Sequence, residues 1–395
     1  MIDRAGSLDP ITRAALMPGV MARLTPQAAI PVILRVTREE AVGAQMRVGG
    51  LRVVDRAIKQ LARLRDARVI VATDGSVRLP KRLPRNMELH LLDGEPEAAI
   101  ATLAGGLKEP IIVAGDTVWL QASRPDRGTR VVDGATRRAA EDAIFKDLMR
   151  GDLGIVARYI NKRISFPITR YLLIHLPLTP NLVTLLAGFV GLYGALLITT
   201  GTYENVLYGF LLAQAQSILD GCDGELARVR LQQSPLGEWL DTIVDDLLNL
   251  ALVLAVGVAL WKRGAPPGTK NINILAGGTF WDMKMALIAA GLLLFTNIVT
   301  YRELIRQGEG GELLKIRWWF SYGQSLKSMT GAGSHSLRAV LLIGKRDFFV
   351  LAWLVLAYFD LLPVILLYMQ VLAVVFAAAA LGQLLTPRWK LRPPT

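Results

Sequence analysis

Four aspartates, Asp220, Asp223, Asp241 and Asp245, stand in two pairs between apolar runs, and they are the side chains best suited to chemistry. Asp220 and Asp223 are three residues apart, and Asp241 and Asp245 are four apart. Each pair therefore shares one face of its own helix. LYGFLLAQAQSIL precedes the first pair and LLNLALVLAVGVALW follows the second, so both read as parts of membrane helices. One ionised carboxylate in such a setting costs about 2.5–3.5 kcal/mol on insertion scales. Four together require an offsetting cation. Oxygen donors converging from two helices suit a hard divalent ion, Mg²⁺ or Mn²⁺, and four carboxylates can hold two ions.

The residues among the acids fit the same use. Gly224, Ala227 and Gly237 are small where helices, or a ligand and a backbone, must approach closely. Arg228 lies four residues beyond Gly224 and eight beyond Asp220, where its planar fork can take a phosphate. The whole reads D-x2-D-G-x2-A-R-x8-G-x3-D-x3-D. With all eight fixed positions present at this spacing, residues 220–245 resemble the motif of the CDP-alcohol phosphotransferases. The resemblance implies a metal-dependent membrane transferase that moves a phosphoalcohol from a CDP-alcohol to a second alcohol and releases CMP. It implies metal ligands at Asp220, Asp223, Asp241 and Asp245, with Asp245 also the general base. A CDP pocket would be lined by Asp220, Gly224, Ala227, Arg228 and Gly237. Family members are commonly dimers, so a homodimer is expected.

Composition bounds the setting. The 395 residues leave room for two domains, and 52% hydrophobic content points to membrane spans. The net charge of +12 falls beside apolar runs rather than in a block with interleaved aromatics. Anionic headgroups and phosphorylated substrates are thus expected as partners, and nucleic acid is not. A single cysteine, Cys222, excludes an intramolecular disulfide and a multi-cysteine metal site. The scattered His90, His175 and His335 do not suggest a histidine-rich zinc site. The first 25 residues lack the apolar core of a signal peptide, so the amino-terminal part is expected in the cytoplasm.

Residues 1–150 are expected to form an α/β, Rossmann-like domain with a mostly parallel sheet. AIPVILRV (29–36), ARVIVATDG (67–75), MELHLLDG (87–94) and EPIIVAGDTVW (109–119) read as strands, while 49–64, 95–107 and 135–151 read as helices. GGLRVVDRAIKQLARLRDARVIVATDG and IIVAGDTVW resemble a nucleotidyltransferase, with Asp116 at that family's metal-binding position. The family's glycine-rich phosphate loop after the first strand is replaced by RVTREEAVGAQMR, which has no G-x-G. A loop of that kind works through backbone N–H groups that cradle phosphates. The domain is therefore expected to be a degenerate scaffold or regulatory module.

Residues 151–395 are expected to be the membrane domain. It begins with an amphipathic helix over 152–175, where Arg158, Lys162, Arg163 and Arg170 alternate with apolar residues as at a membrane interface. Thr179, Pro180 and Asn181 start the first span. Six spans are predicted, at 182–200, 204–222, 237–261, 284–301, 347–360 and 363–384. Arginines and lysines at 228–230, 302–346 and 388–392 lie on one side, which places both termini and the mouth of the aspartate site in the cytoplasm of a multi-pass cell-membrane protein. Trp318, Trp319, Phe320 and Tyr322 suggest a helix lying at the interface. Lys345 and Arg346, at the edge of the fifth span, match basic residues that in the family help bind the acceptor's phosphate or the donor's headgroup. Asp246 points about 100° from Asp245 on a helix and is left out of the metal set.

The donor is expected to be CDP-diacylglycerol, with a soluble CDP-alcohol as the alternative. Inositol phosphate, glycerol phosphate, serine and amino alcohols remain open as acceptors. The fused nucleotidyltransferase-like domain resembles the arrangement of bifunctional inositol-phosphate enzymes and favours a polyol phosphate. A divalent-cation transporter is the rival from another class, since intramembrane acids also mark ion pathways. Here the acids lie close to basic cytoplasmic residues, and the sequence shows no internal repeat.

Overall fold

Alternation along the first strand, IPVILRV, accounts for the architecture of the amino-terminal unit. Val32, Leu34 and Val36 point to one side and Ile33 to the other, and all four are buried. A strand buried on both faces needs helices on both faces. In the computed structural model, which describes residues 30–64, 67–107, 110–119, 128–149, 156–264, 280–307, 316, 318–319 and 346–386, that is what surrounds it. β1 (Ile30–Val36), β4 (Ala67–Thr73), β5 (Met87–Leu91) and β6 (Ile111–Ala114) form a parallel sheet in the order β5-β4-β1-β6. Val32 of β1 pairs with Val69 and Ile111, and Val69 pairs with Met87.

One face of the sheet packs on α2 (Val53–Leu61) through Val54, Ala57, Ile58 and Leu61. The other packs on α3 (Pro96–Gly105) through Ile100. Each apolar side chain so buried contributes about 1.5–3 kcal/mol before the entropy cost of ordering. Minor elements are α1 (Ala41–Gln45) and two short hairpins, β2 (Arg47–Val48) with β3 (Leu51–Arg52), and β7 (Thr117–Val118) with β8 (Thr129–Arg130). The helix expected from residue 49 instead begins at Val53, because Gly49 and Gly50 take φ values of 57° and 79° and turn the β2–β3 hairpin. α4 (Gly134–Leu148) starts at a reciprocal cap, in which the Asp133 carboxylate accepts from Thr136 N at 2.8 Å and Thr136 Oγ1 accepts from Asp133 N at 3.0 Å. Residues 228–231 group with this unit.

The second unit is helical. A juxtamembrane segment runs as a π-turn (Ala157–Asn161), α5 (Lys162–Pro167) and a second π-turn (Ile168–Leu172). α6 (Pro180–Ile198), α7 (Tyr203–Val229), α8 (Pro235–Arg263), α9 (Phe280–Gln307), α10 (Arg346–Tyr358) and α11 (Leu362–Leu385) follow. Ile198, Phe210, Leu252, Val256, Ala289, Trp353 and Ile365 meet in its core. Outward, Leu185, Phe189, Leu192, Leu367, Val371 and Val374 remain exposed, as lipid-facing residues should. Among the described residues, α6, α8, 282–307 of α9, and α11 are long and apolar enough to cross a membrane. α7 runs past the predicted span end at residue 222 to Val229, with Asp220 inside that span and Asp223 just beyond it.

Small residues set the helix approaches. A side chain at Gly194 would reach within 2.7 Å of the Gly209 carbonyl, which brings α6 and α7 close. A side chain at Gly257 would collide with Ala286 Cβ, which does the same for α8 and α9. The expected interfacial helix around 318–322 falls largely outside the described residues. Of that stretch, Trp319 packs on Gly382 of α11 and donates from Nε1 to the Ala379 carbonyl at 3.1 Å.

Candidate metal centre and active site

α7 and α8 present their acids to a common point. Ser234 caps α8, accepting from Gly237 N at 3.1 Å, and Pro235 supplies the first helical turn. At Gly237 a Cβ would lie 3.0 Å from Asn181 Oδ1, so the first turns of α6 and α8 meet there. Asp220, Asp223 and Asp241 each bring one carboxylate oxygen within 4.8 Å of the others. Asp223 is buried and accepts a short hydrogen bond from Thr184 Oγ1 of α6. Oδ1 of Asp220 and Oδ1 of Asp241 are buried and accept no hydrogen bond from the described protein groups. Three close carboxylates with orphaned oxygens and no nitrogen or sulfur donor fit a hard divalent cation.

Asp245 faces a different partner. Its Oδ1 accepts a short hydrogen bond from Arg346 Nη1, at the start of α10, and lies 3.5 Å from Gln216 Nε2. Arg346 Nη2 donates to Gln216 Oε1 at 2.7 Å, so Arg346, Gln216 and Asp245 form a triangle. Asp246 is turned away, as its helical angle required, and accepts from Tyr301 Oη at 2.5 Å. Gly224 and Ala227 follow Asp223 on α7, and Arg228 is exposed near the end of that helix. Lys345 lies outside the described residues.

Sequence reasoning missed Thr184, Gln216 and the contact of Arg346 with Asp245. Gln216 was within reach, since it lies one helical turn before Asp220 and is one of two amides, with Gln214, in an apolar run. Lys162, expected at the membrane interface, is instead buried in an ion pair with Glu225 at 2.6 Å.

In the amino-terminal unit the strand order reverses between β1 and β6, where open α/β sheets place ligands beyond the carboxyl ends of their strands. Here the groups are already engaged. Thr37 N donates to Glu40 Oε2 at 2.9 Å and Arg38 N donates to Asp74 Oδ2 at 2.8 Å. Glu40 also pairs with Arg35 at 2.5 Å. Asp116 is 1% exposed and bound by Arg130 Nε at 2.7 Å. Burial pushes its carboxyl above the usual range against the pull of Arg130.

The sequence profile of the family described as CDP-alcohol phosphatidyltransferase matches residues 177–379, half of the chain, and spans both aspartate pairs. The chain belongs to this family. As a CDP-alcohol phosphatidyltransferase family member it is also similar to curated relatives, each named "Bifunctional IPC transferase and DIPP synthase". That of Aquifex aeolicus is 29% identical over 43% of this chain and 36% of its own length. That of Archaeoglobus fulgidus is 36% identical over 40% and 29%. That of Rubrobacter xylanophilus is 42% identical over 33% and 30%. The chain thus matches about a third of the length of these relatives.

Proposed function

We propose that this protein is a metal-dependent membrane transferase that moves a substituted phosphate from CDP-diacylglycerol to a polyol phosphate such as inositol phosphate and releases CMP, in phospholipid biosynthesis. The observation that carries this reading is the convergence of Asp220, Asp223 and Asp241 within 4.8 Å, inside the full family motif. These three carboxylates would hold Mg²⁺ or Mn²⁺, with Asp245 shared by a second ion. Bound there, two ions supply positive charge to the pyrophosphate as its bridging bond breaks.

The chain's own residues do the rest. Asp245 takes the proton of the acceptor hydroxyl, whose oxygen attacks the phosphorus carrying diacylglycerol, and CMP leaves with the bond to that phosphorus. Arg346 and Gln216 fix the Asp245 carboxylate, and the Arg346 guanidinium, with Lys345, is available to an acceptor phosphate. Arg228 binds the diphosphate, and Gly224, Ala227 and Gly237 keep room for the cytidine nucleotide. The protein adopts six spans, with both termini and the site opening to the cytoplasm, and works as a homodimer among membrane lipids.

The polyol-phosphate acceptor is supported by the relatives' printed name, which pairs an IPC transferase with a DIPP synthase, and by the α/β unit that precedes the helices. That unit is a scaffold rather than a second enzyme, because Glu40 and Asp74 occupy the backbone N–H groups that a phosphate would need. The test is CMP release by the purified protein with Mg²⁺ and CDP-diacylglycerol, offering inositol phosphate, glycerol phosphate, serine and inositol in parallel. One acceptor should drive release, and an Asp223→Ala variant should not respond. Failure of every acceptor in the panel to drive release would move the donor to a soluble CDP-alcohol.

A further inference from the structure

The juxtamembrane segment is amphipathic in an inverted sense. Tyr159, Ile160, Ile164, Tyr171 and Leu172 are exposed, while Asn161, Lys162, Ser165 and Thr169 are buried against α7. A polar stripe turned inward beside lipid must have every group satisfied. Here three of the four groups do so on one carboxylate. Glu225 is 0% exposed. Its Oε1 accepts from Lys162 Nζ at 2.6 Å and from Ser165 Oγ at 2.5 Å, and its Oε2 accepts from Thr169 Oγ1 at 2.6 Å. Two to three turns earlier on α7, Gln214 Nε2 donates to Asn161 Oδ1 at 3.0 Å, and Asn161 Nδ2 donates to Ser217 Oγ at 3.3 Å. Between these contacts Cys222 is fully buried, with its thiol 3.7 Å from the Ser165 carbonyl.

The seam and the metal centre share one helix. At about 100° per residue, Gln214, Gly221 and Glu225 lie within about 20° of a line that is roughly 120° around α7 from Asp220 and roughly 180° from Asp223. The contacts to Asn161, Lys162, Ser165 and Thr169 therefore fix the rotation of α7, and with it the direction of the two aspartates. We propose that Glu225, held by Lys162, Ser165 and Thr169, is a positioning residue that locks the rotation of α7 and so sets Asp220 and Asp223 against Asp241. For its catalytic consequence this rests on the transferase reading above. The π-turns on either side of α5 widen the helix where the seam forms, as such turns often do at functional sites.

The single cysteine makes the seam testable without activity. Three readouts are taken on the full-length protein in detergent: the rate of Cys222 labelling by a maleimide, Mn²⁺ half-saturation by electron paramagnetic resonance, and kcat for CMP release. In Glu225→Gln, Lys162 loses its anion. In the milder pair Ser165→Ala with Thr169→Val, only two hydroxyls go. Both variants should label Cys222 at least about tenfold faster as the seam opens, and Mn²⁺ half-saturation should rise about tenfold to a hundredfold, with kcat falling in step. Glu225→Asp should recover part of each change. If Glu225→Gln does not fold, the hydroxyl pair decides. Wild-type labelling and Mn²⁺ half-saturation in the hydroxyl pair would overturn the proposal, as would faster labelling with unchanged Mn²⁺ half-saturation. A wild-type protein that binds Mn²⁺ but releases no CMP would instead refute the transferase reading, leaving the seam to be judged by the first two readouts.

Discussion

Substituting Asp245 by Asn separates binding from chemistry. The amide keeps the size of the carboxylate, and its oxygen can still accept from Arg346. Arg346 also keeps its 2.7 Å hydrogen bond to Gln216, so the guanidinium is not left unpaired. Asp220, Asp223 and Asp241, which form the close carboxylate group, are untouched. What disappears is a base able to take the acceptor's proton, together with one carboxylate for the second ion, so Mg²⁺ is kept saturating. General-base catalysis contributes about 10²–10⁴-fold, which at about 1.4 kcal/mol per decade is roughly 2.7–5.4 kcal/mol of barrier. Equilibrium binding of CDP-diacylglycerol should change by less than about 1 kcal/mol, because a substitution that acts mainly on the transition state leaves ground-state affinity in place. The assay pairs kcat for CMP release with titration of CDP-diacylglycerol into the variant in Mg²⁺. Parallel loss of binding and turnover would refute the general-base assignment and make Asp245 a ligand for the donor. A kcat within a few-fold of wild type would refute any role in proton transfer.

Further outcomes follow from packing, metal and the α/β unit. Gly257→Leu drives a side chain into Ala286 across the α8–α9 contact and should cost about 1–3 kcal/mol, read as a lower thermal midpoint in detergent. Removing divalent ions with a chelator should abolish CMP release, and adding Mg²⁺ or Mn²⁺ should restore it; full activity in excess chelator would contradict the metal centre. Incubation with CTP and inositol phosphate should yield no pyrophosphate, since the switch-point amides are occupied by Glu40 and Asp74; formation of a CDP-alcohol would make the α/β unit an enzyme.

The carboxylate cluster of Asp220, Asp223 and Asp241 was legible because its members come from two continuous helical segments, where spacing alone decides which side chains share a face. The sheet was legible for a similar reason, since Val32, Ile33, Leu34 and Val36 form an apolar run that only two-sided burial explains. What escaped were partners brought together by tertiary packing. Arg346 reaches Asp245 across 101 positions and Lys162 reaches Glu225 across 63, and no periodicity encodes such pairs. Glu225 itself reads as an ordinary motif spacer, because the spacing that puts it on the far side of α7 from Asp223 says nothing of what waits there. The helix over 49–64 was read too long because Gly49 and Gly50 sit inside an otherwise helical pattern, and the chain uses their positive φ to turn first. α7 continues as a helix beyond the predicted span end at residue 222, because its acids lower the local hydropathy without interrupting the backbone.

The central claim is that the aspartate centre transfers a phosphoalcohol rather than passing an ion. Proteoliposomes containing the protein, CDP-diacylglycerol and Mn²⁺ test it directly, with CMP, new lipid phosphodiester and internal Mn²⁺ measured on one sample after inositol phosphate is added. One CMP per phosphodiester, with no Mn²⁺ entering the vesicles and neither product formed by Asp223→Ala, is the expected result. Mn²⁺ accumulation without CMP would contradict the transferase and make the same carboxylates part of an ion pathway.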